Sequence, residues 1–192
     1  NVENWYEGQF STTSSFGDLK RKIGQPVEFV EGFFNESLTP GLHLAKRMQP
    51  AEFIDIDVDL YISALQALDW VLSSGIATRG TIIGYDDWWF IPCTPQGRHL
   101  HPSETGEGKA HYEMTKKHQV RFRCVAGPCR RWSEEEMHLI CRRPYFVIEA
   151  IGDSSQAWHG FELTDEEISS WKGSSPTCQT LHLMCRDPKN CW

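Results

Sequence analysis

The chain has 192 residues and a formal net charge of −7, long enough for one domain with a sizeable core and of the wrong sign to have a nucleic-acid backbone as its main partner. A mean hydropathy of −0.46 and the lack of any long apolar run leave no candidate membrane span. Eight Trp, several outside core patterns, point to a surface that grips a ligand, and none of the seven Cys makes a CxxC pair of the kind that binds zinc.

The Cys read mostly as reduced structural thiols; one or two disulfides fastening the tail that holds Cys178, Cys185 and Cys191 are the alternative. The chain opens Asn-Val-Glu, with no Met and no signal-peptide pattern. It therefore reads as a fragment or a processed product, and this N-terminus does not give the location, which is left unknown with the cytoplasm slightly favoured; a homo-oligomer is left open.

In chain order, residues 1 to 18 read as loop and Phe16 to Ile23 as a short helix. Pro26 to Val30 (PVEFV) alternates as a short strand does and ends in the loop EGFFNESL. Leu42 to Met48 reads as a short helix. Glu52 to Val58 is a strand with Ile54, Ile56 and Val58 on one face and acids on the other. Ser63 and Gln66 have the form of a capping box, and Leu65, Leu68, Val71 and Leu72 follow at helical spacing. Thr81 to Tyr85 (TIIGY) is short, apolar and β-branched, as a buried parallel strand is.

Residues 88 to 108 read as a long loop with His99 and His101 inside it, of a length that is usually functional. Glu107 to Lys117 reads as helix, Val120 to Val125 as strand, Ser133 to Ile140 as helix and Tyr145 to Ile151 as a last strand. Thr164 to Trp171 reads as a final short helix, and the tail from about 173 has no periodicity. Strands alternating with helices predict an α/β fold with a mostly parallel sheet, its last two strands closing one edge as an antiparallel pair. The whole reads as a single domain.

Ligands of open parallel sheets bind beyond the carboxyl ends of the strands. Asp57 and Asp59 lie at one such end and Asp86 and Asp87 at the next. If the two strands are neighbours, the carboxylates converge, which is costly unless a cation neutralises them or some protonate. Oxygen-only ligands suit a hard cation such as Mg2+. Asp55, deeper in the strand, reads as a structural acid. No general base stands out among His99, His101 and His111. Trp88 and Trp89 either line an acceptor site or fill the core.

Three segments carry a resemblance. Gly32-Phe33-Phe34-Asn35-Glu36-Ser37-Leu38, then Asp57-Val58-Asp59-Leu60-Tyr61-Ile62-Ser63, then Gly80-Thr81-Ile82-Ile83-Gly84-Tyr85-Asp86-Asp87-Trp88 resemble, in order and spacing, the macrocin and mycinamicin O-methyltransferase family. GEGKAHYEM followed by VRFRCV is a weaker match to its late helix and strand. The resemblance implies a Rossmann-like class I methyltransferase sheet that uses S-adenosyl-L-methionine and Mg2+ to methylate a sugar hydroxyl or other vicinal diol. It implies Asp57, Asp86 and Asp87 as metal ligands and Gly32 and Phe33 beside the cofactor's adenosine. Asp59, Tyr61 and Trp88 would meet a small-molecule or glycan acceptor.

The family's Gly-rich cofactor turn has no counterpart ahead of PVEFV. The chain thus reads as N-terminally incomplete, and a non-catalytic methyltransferase-like domain that keeps a metal and sugar site is the alternative function. A different divalent-metal enzyme built on Asp-x-Asp would leave the Gly-Phe-Phe and Asp-Asp-Trp segments unexplained.

Overall fold

The computed structural model describes residues 13–24, 26–88, 101–127, 129, 143–162, 164 and 166. The chain divides into two compact units, Asn1–Phe33 and Phe34–Trp192.

In the first unit, α1 spans Phe16–Ile23, as its sequence predicts. Ser15 caps it and Asp18 completes a capping box, while Gly24 closes it in the left-handed region at φ 65. Phe16 stacks on Phe29 with ring centroids 5.0 Å apart. The segment PVEFV is not a strand: residues 26–30 make no ladder. A five-residue alternation opened by Pro26 does not form a strand without a partner edge to pair with.

The second unit opens with two short helices, α2 (Phe34–Ser37) and α3 (Leu42–Ala45). Then come β1 (Phe53–Ile56), α4 (Tyr61–Ser73), β2 (Ile82–Tyr85), a 3-10 turn (Pro102–Glu104), α5 (Gly106–His118), β3 (Arg121–Ala126) and β4 (Tyr145–Ala150). Helix α4 begins two residues before the Ser63 capping box and has Leu60 at its N-cap with no side-chain cap. The predicted helices 133–140 and 164–171 and the tail lie outside the described residues, apart from Thr164 and Glu166.

The sheet order is β1-β2-β4-β3. β1 and β2 are parallel, and β4 runs antiparallel to both β2 and β3. The fold is therefore mixed α/β with an open four-stranded sheet that, among the described residues, is mixed rather than mostly parallel, because β4 enters between β2 and β3 antiparallel to both. The antiparallel pair β3–β4 is present, with β4 inside the sheet and β3 at its edge.

Helix α5 lies over β2, β4 and β3. Its buried His111 sits 4.4 Å from Phe122, 4.6 Å from Phe146 and 5.4 Å from Tyr85, ring centroid to ring centroid. Asp69 on α4 takes Lys117 Nζ at 2.8 Å and His118 Nε2 at 2.6 Å, which clips the end of α5 to α4. Ile56, Leu68, Leu72, Ile83, Phe122, Phe146 and Ile148 fill the core. Gly84 is required on β2 because a Cβ there would lie 2.8 Å from the Tyr145 ring.

A disulfide joins Cys124 and Cys129 across the irregular end of β3. This corrects the expectation of reduced thiols for this pair, and it places a bridge in mid-chain rather than in the tail. Among the described residues no helix is long and apolar enough to cross a membrane.

Candidate metal centre

The strand register builds the site. Ile56 on β1 pairs with Tyr85 on β2, so Asp57 and Asp86 leave the sheet side by side. The Asp86 N–H donates to the Ile56 carbonyl at 2.9 Å, which carries the pairing one step past the strands. Carboxylate oxygens of Asp57, Asp86 and Asp87 all lie within 4.8 Å of one another.

Carboxylates this close repel by about 1 kcal/mol per pair in a water-like medium and by about 3–4 kcal/mol at an effective dielectric of 20. The acids respond. Burial, then the charge of Asp86, pushes the Asp57 carboxyl up. Asp87 is pushed up to about 8 by burial, by a hydrogen bond with the Asp59 carboxyl and by the neighbouring charges. Asp59 takes a left-handed backbone at φ 56, which Asp tolerates better than most residues.

Among the described residues, Arg143 is the cation at the rim. Arg143 donates from Nε to Asp86 Oδ1 at 2.5 Å and from a terminal nitrogen to Asp55 Oδ2 at 2.9 Å. Asp55 is thus the structural acid its position suggests, held in an ion pair. Among the described residues Arg143 is outnumbered by the carboxyl groups of Asp55, Asp57, Asp59, Asp86 and Asp87.

Glu107, in the first turn of α5, is fully buried. Its Oε1 accepts from the Val58 N–H at 3.2 Å and its Oε2 from the Asp87 N–H at 3.0 Å. Burial dominates and pushes its carboxyl up to about 8, although both backbone donors pull the other way. Gly106, at φ 52, brings the start of α5 against the Asp87 carbonyl.

The remaining predicted site residues are dispersed. Tyr61 donates to Glu113 Oε2 at 2.6 Å, and the Lys109 ammonium lies 4.5 Å above its ring. Trp88 is 2 % exposed and packs on Tyr85, His111, Phe146 and Phe161. It is a core residue, with no ring face open to an acceptor. Gly32 and Phe33 belong to the first unit, where Gly32 takes φ 121 and Phe33 is exposed.

His111 is no base. Its Nε2–H donates to the His159 carbonyl at 2.7 Å, so its Nδ1 accepts from the Tyr85 hydroxyl at 2.7 Å. Burial pulls it down to about 3, which keeps it neutral. His101 Nδ1 pairs with Ser103 at 2.7 Å in the 3-10 turn. His99 and Trp89 lie outside the described residues.

Glu107 and Arg143 escape sequence reading. An acid in a first helical turn ordinarily signals only a match to the helix dipole, and an Arg before Pro144 looks like an exposed loop residue. The flanking Gly106 and Gly108 are the one local hint, since glycines let an element approach closely.

Comparison with family models, curated proteins and solved structures finds no match.

Proposed function

We propose that this chain is a divalent-metal-dependent O-methyltransferase that moves a methyl group from S-adenosyl-L-methionine to a hydroxyl of a sugar or other vicinal diol. The observation that carries the metal part is the convergence of Asp57, Asp86 and Asp87 beyond the carboxyl ends of two adjacent parallel strands. Their donor set fits a hard cation. Ligand oxygens span at most about 4.2 Å across Mg2+ and about 5 Å across Ca2+; these lie within 4.8 Å of one another, so they reach around the larger ion as they stand and around Mg2+ after a small side-chain adjustment. The methyltransferase part rests on the three sequence segments that resemble the macrocin and mycinamicin enzymes, together with a mixed sheet compatible with that expectation.

Asp57, Asp86 and Asp87 would hold Mg2+, which when bound lowers the pKa of a coordinated hydroxyl. Asp59, hydrogen-bonded to Asp87, would meet the acceptor beside the metal. Tyr61 and Lys109 form a polar, aromatic pair that suits a sugar face. Gly32 and Phe33 would meet the adenosine of the methyl donor. Phe33, 77 % exposed, has the accessibility a ring that stacks on a ligand needs.

The test is calorimetric titration of S-adenosyl-L-methionine into the chain with Mg2+ and with chelator, followed by transfer of a labelled methyl group to a panel of vicinal-diol sugars. Cofactor binding and Mg2+-dependent transfer support the enzyme. A folded chain that binds Mg2+ but no cofactor points instead to a non-catalytic metal and sugar-binding domain.

A further inference from the structure

Two loops supply the three clustered acids, and neither loop is held by the sheet alone. Asp57 follows β1, and Asp86 and Asp87 follow β2. One side chain from a third element reaches both. Glu107 spends one carboxylate oxygen on the Val58 N–H and the other on the Asp87 N–H. Both bonds are made to backbone flanking or belonging to a proposed ligand, so they set where the chain turns rather than where one side chain swings.

We infer that Glu107 is the positioning residue of the metal centre, clamping the β1 and β2 loops in the register that brings Asp57 and Asp87 onto one ion. The inference rests on the metal reading of the three acids. It also accounts for why a carboxylate is buried here at all. An acid with no exposed surface and no cationic partner among the described residues is expensive, and two backbone donors from two separate loops hold it in place.

The clamp demands a carboxyl group of this length, because both of its oxygens accept from a backbone N–H. A glutamine has one acceptor oxygen, and its amide nitrogen would face an N–H donor, so one of the two loops is released. An aspartate keeps the carboxyl group but is one methylene shorter and cannot span both loops from the same helix position. Groups that orient metal ligands from behind typically cost 10- to 100-fold in affinity when altered.

The experiment is Mn2+ titration by electron paramagnetic resonance on the full chain, beside Glu107→Gln, Glu107→Asp and the distant charge control Glu149→Gln. Thermal unfolding of each protein runs in parallel. Both Glu107 variants are expected to weaken Mn2+ binding at least 10-fold, while Glu149→Gln, which alters a carboxylate paired with Arg121 and Arg123, leaves it unchanged. Full affinity in folded Glu107→Gln, or loss in Gln with retention in Asp, overturns the clamp, the latter by showing that a carboxyl group suffices without the reach to both loops. No Mn2+ binding by the unaltered chain overturns the metal reading itself.

Should the variants fail to fold, amide hydrogen exchange on the unaltered chain decides. The Val58 and Asp87 amides are expected to be protected together and to slow further with Mg2+. Exchange of either at the rate of a free amide overturns the inference.

Discussion

Arg143 reaches Asp86 through Nε at 2.5 Å. The contact follows from topology. β4 runs antiparallel to β2 with Gly84 opposite Tyr145, so β4 begins where β2 ends and Arg143 arrives beside the acids. The guanidinium thus occupies a carboxylate that the proposed cation needs. Arg143→Ala is expected to tighten Mg2+ binding several-fold, because it frees Asp86 and removes a like charge. The same change should cost about 1 kcal/mol of metal-free stability, since the ion pairs are partly exposed. Mg2+ titration and urea unfolding of the variant check both; weaker Mg2+ binding would count against this competition.

The pH dependence has a definite sign. Burial holds Glu107 up at about 8 and, with Asp59, holds Asp87 up as well. Unfolded carboxyls titrate near ~4. The folded chain therefore keeps protons that the unfolded chain has released, and stability falls as pH rises from about 4 to about 8. His111, pulled down to about 3 from 6.5 by burial, acts oppositely: its contribution is complete above 6.5 and is lost as pH falls toward 3. Below 6.5 the two effects offset in part, and above it the carboxyls act alone. The chelator-treated chain should lose thermal stability between about pH 6.5 and 8.5, and saturating Mg2+ should remove the share of that loss due to Asp87. A melting temperature in chelator that stays level or rises over this range contradicts the assignment.

Tyr85→Phe separates the core from the site. The Tyr85 hydroxyl donates to His111 Nδ1, and burial keeps that hydroxyl protonated. Without it a buried acceptor is left unpaired, at a cost of about 1–3 kcal/mol. Mg2+ affinity should stay within about twofold, because the bond lies behind the acids. Chemical unfolding and metal titration of one preparation give both readings.

How much of this was legible beforehand varies by residue. Strict alternation around Ile54, Ile56 and Val58, then a helical run, then TIIGY, points to a β-α-β unit, and a parallel pairing of its strands brings Asp57 beside Asp86. Those signals are local. The roles of Glu107 and Arg143 are set by contacts 49 residues and 88 residues away along the chain, and no local period encodes them. Trp88 follows the acids and looks like a ligand platform. Its burial is decided by Phe146 and Phe161, which arrive much later in sequence. PVEFV alternates like a strand, yet pairing requires an available edge.

The Cys124–Cys129 bridge closes a short loop, with a sequence separation of 5. A loop of that size restricts the unfolded chain modestly, by about 2 kcal/mol in the chain-entropy account. Denaturant unfolding with and without reductant should differ by about that amount. No difference, with the bond verified by mass before and after, would show that the bridge contributes nothing to stability.

The most direct test of the central claim is isothermal titration of Mg2+ into the chelator-treated chain, beside the Asp86→Asn, Asp87→Asn double variant. One saturable site per chain is expected, abolished in the variant, with protons released on binding because Asp87 is held up when no metal is bound. Release is read by repeating the titration in buffers of different ionisation enthalpy. No saturable binding by the unaltered chain, or equal binding by the variant, would contradict a metal centre at these carboxylates.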